Sequence, residues 1–364
     1  MGQLARSRRA SSAAAGLALL GALVVAVAGS QWLAYTPPIR DGDGDAVRGG
    51  IASLETVTLH GSKQWIMVRG RSVDSPVLLF LAGGPGGSEF CKTRGYARYL
   101  EDHFVVVNWD QPAAGKSWHA VPVAGLTPQR YLDDAHELVL QLRARFHQDK
   151  IYLLGDSWGS AVGIMLVQRY PQLFHAYIGA GQMVDFVAND TREWELAIQF
   201  ARQRGDAALV ARLESYGRPP YYDNPASKIQ TFADVVGAEA TRQGAGGWPG
   251  TFAALLASPE YGLLDKVMLP INALRVMNAV YPQLYHIDLR TQAATLQVPV
   301  YLLEGRYDYN AVTTLAVDYH NTLTAPHKEL IWFEHSGHNV LPSEPDKVED
   351  VLVNRVLAQT QPDR

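Results

Sequence analysis

Cysteine is all but missing. Cys91 is the only one among 364 residues, which excludes an intramolecular disulfide and any cysteine-rich metal site. A lone thiol in such a chain reads as a core or helix-lining residue rather than a reactive one. Charge is scarce as well: 19% of residues are charged and the formal net charge is −4. No basic cluster occurs beyond the extreme N-terminus, so nothing points to a nucleic-acid partner. What the chain does have is apolar material, 47% of it, enough for a sizeable core and too much for global disorder. Its length suits one large α/β domain carrying an insertion.

A long uncharged stretch occurs at the N-terminus. Arg6, Arg8 and Arg9 precede it, no charge falls between Ala10 and Ile39, and residues 13–28 are continuously small or aliphatic. Trp32 and Tyr35 add aromatics of the kind found at membrane interfaces. Residues 1–35 are therefore expected to be a signal anchor or signal peptide, and residues 36–52, rich in Pro, Gly and Asp, a linker. An uncleaved anchor predicts a single-pass membrane protein with an exported catalytic domain. Cleavage at Ala26-Val27-Ala28 predicts a secreted one.

Beyond the linker, short apolar runs alternate with helical patterns. Residues 54–59 and 64–69 flank His60-Gly61-Ser62-Lys63 and predict a hairpin. Runs at 76–81, 104–109, 150–154, 298–303 and 329–333 predict strands buried on both faces. Helical stretches, notably 128–146 and 344–357, fall among and after them. The expected fold class is α/β, a mostly parallel sheet flanked by helices. From about 182 to 296 no buried strand is evident, whereas helical patterns and aromatics abound, Trp194, Phe200, Tyr216, Tyr221, Tyr222, Trp248, Phe252, Tyr261, Tyr281 and Tyr285 among them. That stretch reads as a helical cap, 182–296, inserted between core segments 53–181 and 297–358. Most of its aromatics are expected to form the cap's own core.

Chemistry concentrates in Gly155-Asp156-Ser157-Trp158-Gly159, between a strand and an apolar helix ended by Pro171. Strand, G-x-S-x-G, helix is the context of a nucleophile elbow. Serine is a poor nucleophile at neutral pH and needs a base, which in turn needs an orienting acid. In this architecture they follow in the order Ser, Asp/Glu, His. Asp308 comes just past a predicted strand, and His338, in Ser336-Gly337-His338, follows the last one. His335 is the competing base, less suited because small residues precede His338. The remaining need is a pair of N–H groups for the developing oxyanion. Trp158 supplies one; Gly84, in Ala82-Gly83-Gly84-Pro85-Gly86-Gly87, supplies the other, since Pro85 has no N–H. Ala114-Gly115-Lys116-Ser117 looks like the end of a phosphate-binding loop, but Asp110 stands where that motif needs glycine and no helix is expected to follow.

Taken together, these segments resemble the proline iminopeptidase family, serine peptidases of the α/β-hydrolase fold. The family's HGGPG, DQRGxGxS, GxSWG, GRxD and SGH segments meet Ala82–Gly86, Asp110–Ser117, Gly155–Gly159, Gly305–Asp308 and Ser336–His338 here, in the same order. The resemblance implies Ser157 as nucleophile, Asp308 as acid and His338 as base, with no metal or organic cofactor. It also implies acidic cap residues that hold a substrate's free amine; Glu195 is the candidate, with Glu193 and Asp190 nearby. Ala82 replaces the family's histidine, and Pro112 and Ala113 replace its Arg-Gly, which puts the pocket rim in doubt. Aminopeptidase action on short peptides is the expected activity. An esterase, lactonase or amidase on a small apolar substrate is the alternative, and a non-catalytic binding protein on the same fold the third.

Overall fold

The computed structural model describes residues 2–96, 98–246 and 251–361. Trp248, and the side chains of Phe252, Arg6, Arg8 and Arg9, lie outside the described part. Eight strands form one sheet: β1 (Ile51–Leu59), β2 (Ser62–Gly70), β3 (Val77–Leu81), β4 (Val105–Asp110), β5 (Ile151–Asp156), β6 (Phe174–Ala180), β7 (Val300–Gly305) and β8 (Lys328–Phe333). Their spatial order is β1-β2-β4-β3-β5-β6-β7-β8. The β1–β2 and β2–β4 pairs are antiparallel and the others parallel. The hairpin is the predicted one, turning at His60 and Gly61, both with positive φ.

Every residue of β3, β4 and β7 is buried, which is why these strands read as unbroken apolar runs rather than alternating ones. Alternate residues feed two cores. Leu79, Val107, Leu153 and Leu302 face one, with helix Pro128–Phe146 and helix Trp158–Arg169. Leu78, Val106, Leu154 and Leu303 face the other, with the C-terminal helical segments Pro345–Asp350 and Val351–Leu357. The long connection between β6 and β7 is helical, as expected: Phe186–Gln203, Ala207–Ser215, Pro225–Arg242, Thr251–Ala257, Leu263–Leu284 and Leu289–Gln292. Phe200 and Tyr221 pack with Phe232, Val235 and Val236 in a separate cluster, with Trp194 and Tyr216 against it. Tyr281 and Tyr285 instead join the main core, and Tyr222 is exposed.

The phosphate-loop lookalike is a clamp. Lys116 Nζ pairs with Asp265 Oδ2 of helix Leu263–Leu284 at 2.7 Å, both side chains 3% exposed, and lies 4.7 Å from the centre of the Trp65 ring. Trp65 N donates to Ser117 Oγ at 2.8 Å, and a side chain at Gly115 would collide with the Asp110 carboxylate. Removing one partner strands a buried charge. Lys116→Met is expected to destabilise the protein by about 3–5 kcal/mol, read from the urea unfolding midpoint; an unshifted midpoint would make the pair dispensable. Cys91 is buried, and burial pushes its thiol up to about 12, against an ordinary 9.0. It stays protonated and inert.

The N-terminal expectation needs correction. Gly2–Trp32 is a single helix of 31 residues, yet no helix among the described residues is long and apolar enough to cross a membrane. The single-pass anchor, and the exported location drawn from it, are withdrawn. Arginines occupy its start, and much of its uncharged part is Ala, Gly and Ser, which contribute little to transfer into hydrocarbon. Its last turn and the residues just after it are tied to the protein body: Leu263 N donates to Ser30 Oγ at 2.9 Å and Tyr35 N to Pro259 O at 3.0 Å.

Candidate active site

Strand β5 stops at Asp156 and helix Trp158–Arg169 starts two residues later. Ser157 between them has φ 53° and ψ −119°, a region costly for any residue with a Cβ. Glycines make the turn feasible. A Cβ at Gly155 would lie 2.4 Å from Gly159 O, and one at Gly159 would lie 2.1 Å from Leu81 O. Neighbouring strands hold the strained backbone: Ser157 N donates to Ala180 O at 3.0 Å. Ser160 Oγ donates to Ser157 O and accepts from Met183 N at 2.9 Å. The Ser157 side chain stays partly exposed.

Asp308 follows β7 and is 2% exposed. Its Oδ1 accepts from Asn310 N at 3.0 Å and Ala311 N at 2.9 Å; its Oδ2 lies 2.9 Å from His338 Nδ1. A carboxylate can only accept, so Nδ1 carries the proton and Nε2 is left as the basic nitrogen. Burial by itself lowers the His338 pKa. The Asp308 charge, its hydrogen bond and the Asp156 charge outweigh that and raise it to about 9. The histidine loop is pinned by Tyr307 N donating to Ser336 O at 3.0 Å, and a Cβ at Gly305 would lie 2.0 Å from Gly337 O. His335, the competing base, is exposed, and its own backbone N donates to Glu344 Oε1 at 2.9 Å.

The end of β6 joins the two halves. Ala180 O holds the Ser157 N–H. Gly181, at φ +56°, stands so close that a Cβ there would lie 3.0 Å from the His338 ring and 3.2 Å from Asp308 Oδ2. Across the elbow, Gly83 presses on Ser157: a Cβ on it would lie 3.2 Å from Ser157 Cβ and 3.2 Å from Asp156 Oδ2. Gly84 follows at φ +133°, where a side chain would strike the backbone N of Gly86 and Gly87. Gln111 ties this loop to the elbow, donating to Ala82 O at 3.0 Å and accepting from Trp158 Nε1 at 3.3 Å. Trp158 is 1% exposed and anchors the helix start by packing edge-on against Tyr131.

Glu195 is exposed on helix Phe186–Gln203. Its side chain is 52% exposed and pairs with Arg218 at 3.4 Å, on the rim of a cavity of about 790 Å³. That cavity is bounded by Leu196, Thr314 and Trp332; Asp308 reaches it, but neither Ser157 nor His338 lines it. Asp190 and Glu193, on the same helix, are buried. Tyr281 and Tyr285 donate to the Asp190 carboxylate at 2.7 and 2.8 Å, and Asn310 donates to Glu193 Oε1 at 2.7 Å. Burial raises Asp190 to about 7 and Glu193 well above its ordinary value. Through Asn310, Glu193 braces the turn that carries Asp308. Sequence reasoning also passed over Asp156 and Gly181. Asp156 carries a signal, its place beside Ser157; Gly181 carries none, because only the fold brings it to His338. No group of three or more His, Cys, Asp or Glu side chains among the described residues is arranged to hold a metal ion.

Comparison with known proteins agrees with this architecture. A family model described as alpha/beta hydrolase fold matches residues 76–345. A Bacillus subtilis (strain 168) protein named "Probable aminopeptidase YbaC" is 28% identical over 311 residues, 83% of this chain and 95% of that protein. The proline iminopeptidase of Saccharolobus solfataricus is 24% identical over 289 residues, 76% of this chain and 83% of that protein. Among solved structures, a proline iminopeptidase-related protein from Thermus thermophilus is similar with a TM-score of 0.58 at 21% identity, over 85% of this chain and 98% of that one. That last likeness speaks for the fold alone.

Proposed function

The chain belongs to the α/β-hydrolase fold family, and from that premise we propose that it is a serine hydrolase of aminopeptidase type, cleaving the N-terminal residue from short peptides. The observation that carries the catalytic part is the 2.9 Å contact between His338 Nδ1 and Asp308 Oδ2 beside a serine strained into an elbow. The aminopeptidase part is supported by the named relatives. Ser157 Oγ attacks the carbonyl carbon while His338 Nε2 takes its proton. Asp308 holds the ring tautomer and stabilises the imidazolium. Backbone N–H groups of Trp158 and Gly84 face the tetrahedral oxyanion. His338 then delivers the proton to the departing amine, and water, deprotonated by the same nitrogen, releases the acid and frees Ser157.

The test compares kcat/KM on a prolyl anilide with a free amine, the same anilide N-acylated, and a short-chain nitrophenyl ester. Strong preference for the free amine is the expected result. Ester turnover without anilide cleavage would move the assignment to an esterase or lactonase. The exposed position of Glu195, paired with Arg218, favours that second reading.

The pH profile follows from His338. Nε2 accepts a proton only when the ring is neutral, and its pKa is raised to about 9. Turnover of the ester, corrected with the Ser157→Ala protein, is expected to climb with pH and level off only past about 9. A flat profile between neutrality and that point would remove His338 as the base. The sign for stability is opposite. A raised folded pKa means protonated His338 stabilises the fold fully below the ordinary 6.5, a contribution lost as pH rises through about 9.

A further inference from the structure

One buried acid beside the triad has no part in the chemistry described above. Strand β7 runs Val300-Tyr301-Leu302-Leu303, apolar or aromatic throughout, and then places Glu304 four residues before Asp308. Glu304 is 0% exposed. Its Oε1 accepts from Gln182 N at 3.1 Å, whereas Oε2 is buried with no hydrogen-bond partner among the described residues. The bond that Glu304 does make leads to the triad. Gly181 N donates to Leu303 O at 3.1 Å and Gln182 N to Glu304, so two successive N–H groups after β6 are held by two successive residues of β7. Gly181 is the residue that packs against the His338 ring and Asp308 Oδ2. Gln182 is itself 1% exposed and fixed at its far end: Oε1 accepts from Tyr177 OH and Nε2 donates to Met183 O, each at 2.7 Å. Take away the Glu304 oxygen and a buried backbone N–H loses its acceptor at the contact with the imidazole.

Resting on the serine-hydrolase reading above, we infer that Glu304 is a positioning residue: by accepting from Gln182 N it fixes Gly181 against the His338 ring, and so fixes where Nε2 stands. It acts as an oxygen, not as a charge. A carboxylate here would be a buried charge with no cation paired to it, so the group is held as the neutral acid. Burial and the Asp308 charge both push it well above its ordinary value. Glutamine keeps an oxygen at the same reach and is expected to serve as well. Aspartate falls one methylene short of Gln182 N, and methionine fills the space without an oxygen.

The experiment measures kcat, KM and the pH profile of nitrophenyl-ester turnover, corrected with the Ser157→Ala protein, beside urea unfolding midpoints. It compares the wild type with Glu304→Gln, Glu304→Asp and Glu304→Met. Glu304→Met and Glu304→Asp are expected to lower kcat about a hundredfold, with KM little changed. Glu304→Gln is expected to keep the wild-type kcat and to reach its plateau at the same pH. Wild-type kcat in a folded Glu304→Met overturns the inference, since a merely structural residue would move the midpoint alone. A plateau shifted to lower pH in Glu304→Gln, or a loss there as deep as in Glu304→Met, also overturns it, because the charge would then be what acts. Should Glu304→Met fail to fold, Glu304→Asp, which keeps a polar side chain, makes the same comparison. All of these outcomes leave the serine-hydrolase reading standing; wild-type turnover that does not depend on Ser157 overturns both.

Discussion

Ser157→Ala is expected to abolish hydrolysis of every substrate the protein turns over, with kcat falling about a million-fold. The size follows from the division of labour at the site. A base and an oxyanion pocket without a nucleophile act only on water, which is neither held nor aligned where Oγ stands. The fold should be untouched, because the bonds that hold the elbow run through backbone: Ser157 N to Ala180 O at 3.0 Å and Ser160 Oγ to Ser157 O. Both survive the loss of the hydroxyl. The check is residual turnover of the nitrophenyl ester beside a thermal unfolding curve. Ester activity within a hundredfold of the wild type would take the nucleophile's role from Ser157.

Asp308→Asn is expected to lower kcat about ten-thousand-fold. The amide can still accept from Asn310 N and Ala311 N, now at 3.0 and 2.9 Å from Oδ1, so the turn keeps its shape. Its nitrogen then replaces Oδ2, 2.9 Å from His338 Nδ1, and a donor facing a donor forces the ring into the tautomer with Nε2 protonated. Nε2 can then no longer take the serine's proton. The charge that raises the His338 pKa also goes, since Asp308 supplies its two leading upward contributions. The remaining activity should therefore reach its plateau at a lower pH than in the wild type. A loss of activity with an unmoved pH profile would mean that Asp308 acts by shaping the turn, not through the imidazole.

Much of the architecture was legible from periodicity. Strands buried on both faces announce themselves as unbroken apolar runs, and β3, β4 and β7 did so. The elbow was legible because its glycines have no substitute: a Cβ at Gly155 or Gly159 would overlap backbone. The N-terminal segment misled, because an uncharged stretch resembles an anchor even where much of it is Ala, Gly and Ser. Its outcome depends on apolar content per turn and on contacts with residues far along the chain, as between Ser30 and Leu263.

The direction of Glu195 was not legible for a related reason. A carboxylate on a helix has no visible direction in one dimension, and Asp190, Glu193 and Glu195 lie within six positions of each other on helix Phe186–Gln203. Packing turned the first two inward, to tyrosines and Asn310, and the third outward to Arg218. By itself the sequence determined the α/β class, the order of the chemistry-bearing segments and the positions where glycine is obligatory, because each is written in local spacing and sterics. Tertiary structure decided which carboxylates of that helix are buried, that Lys116 locks onto Asp265 rather than a phosphate, and that Gly181, outside every motif, packs against His338. Those outcomes depend on burial and on partners far apart in the chain, and no local pattern encodes either.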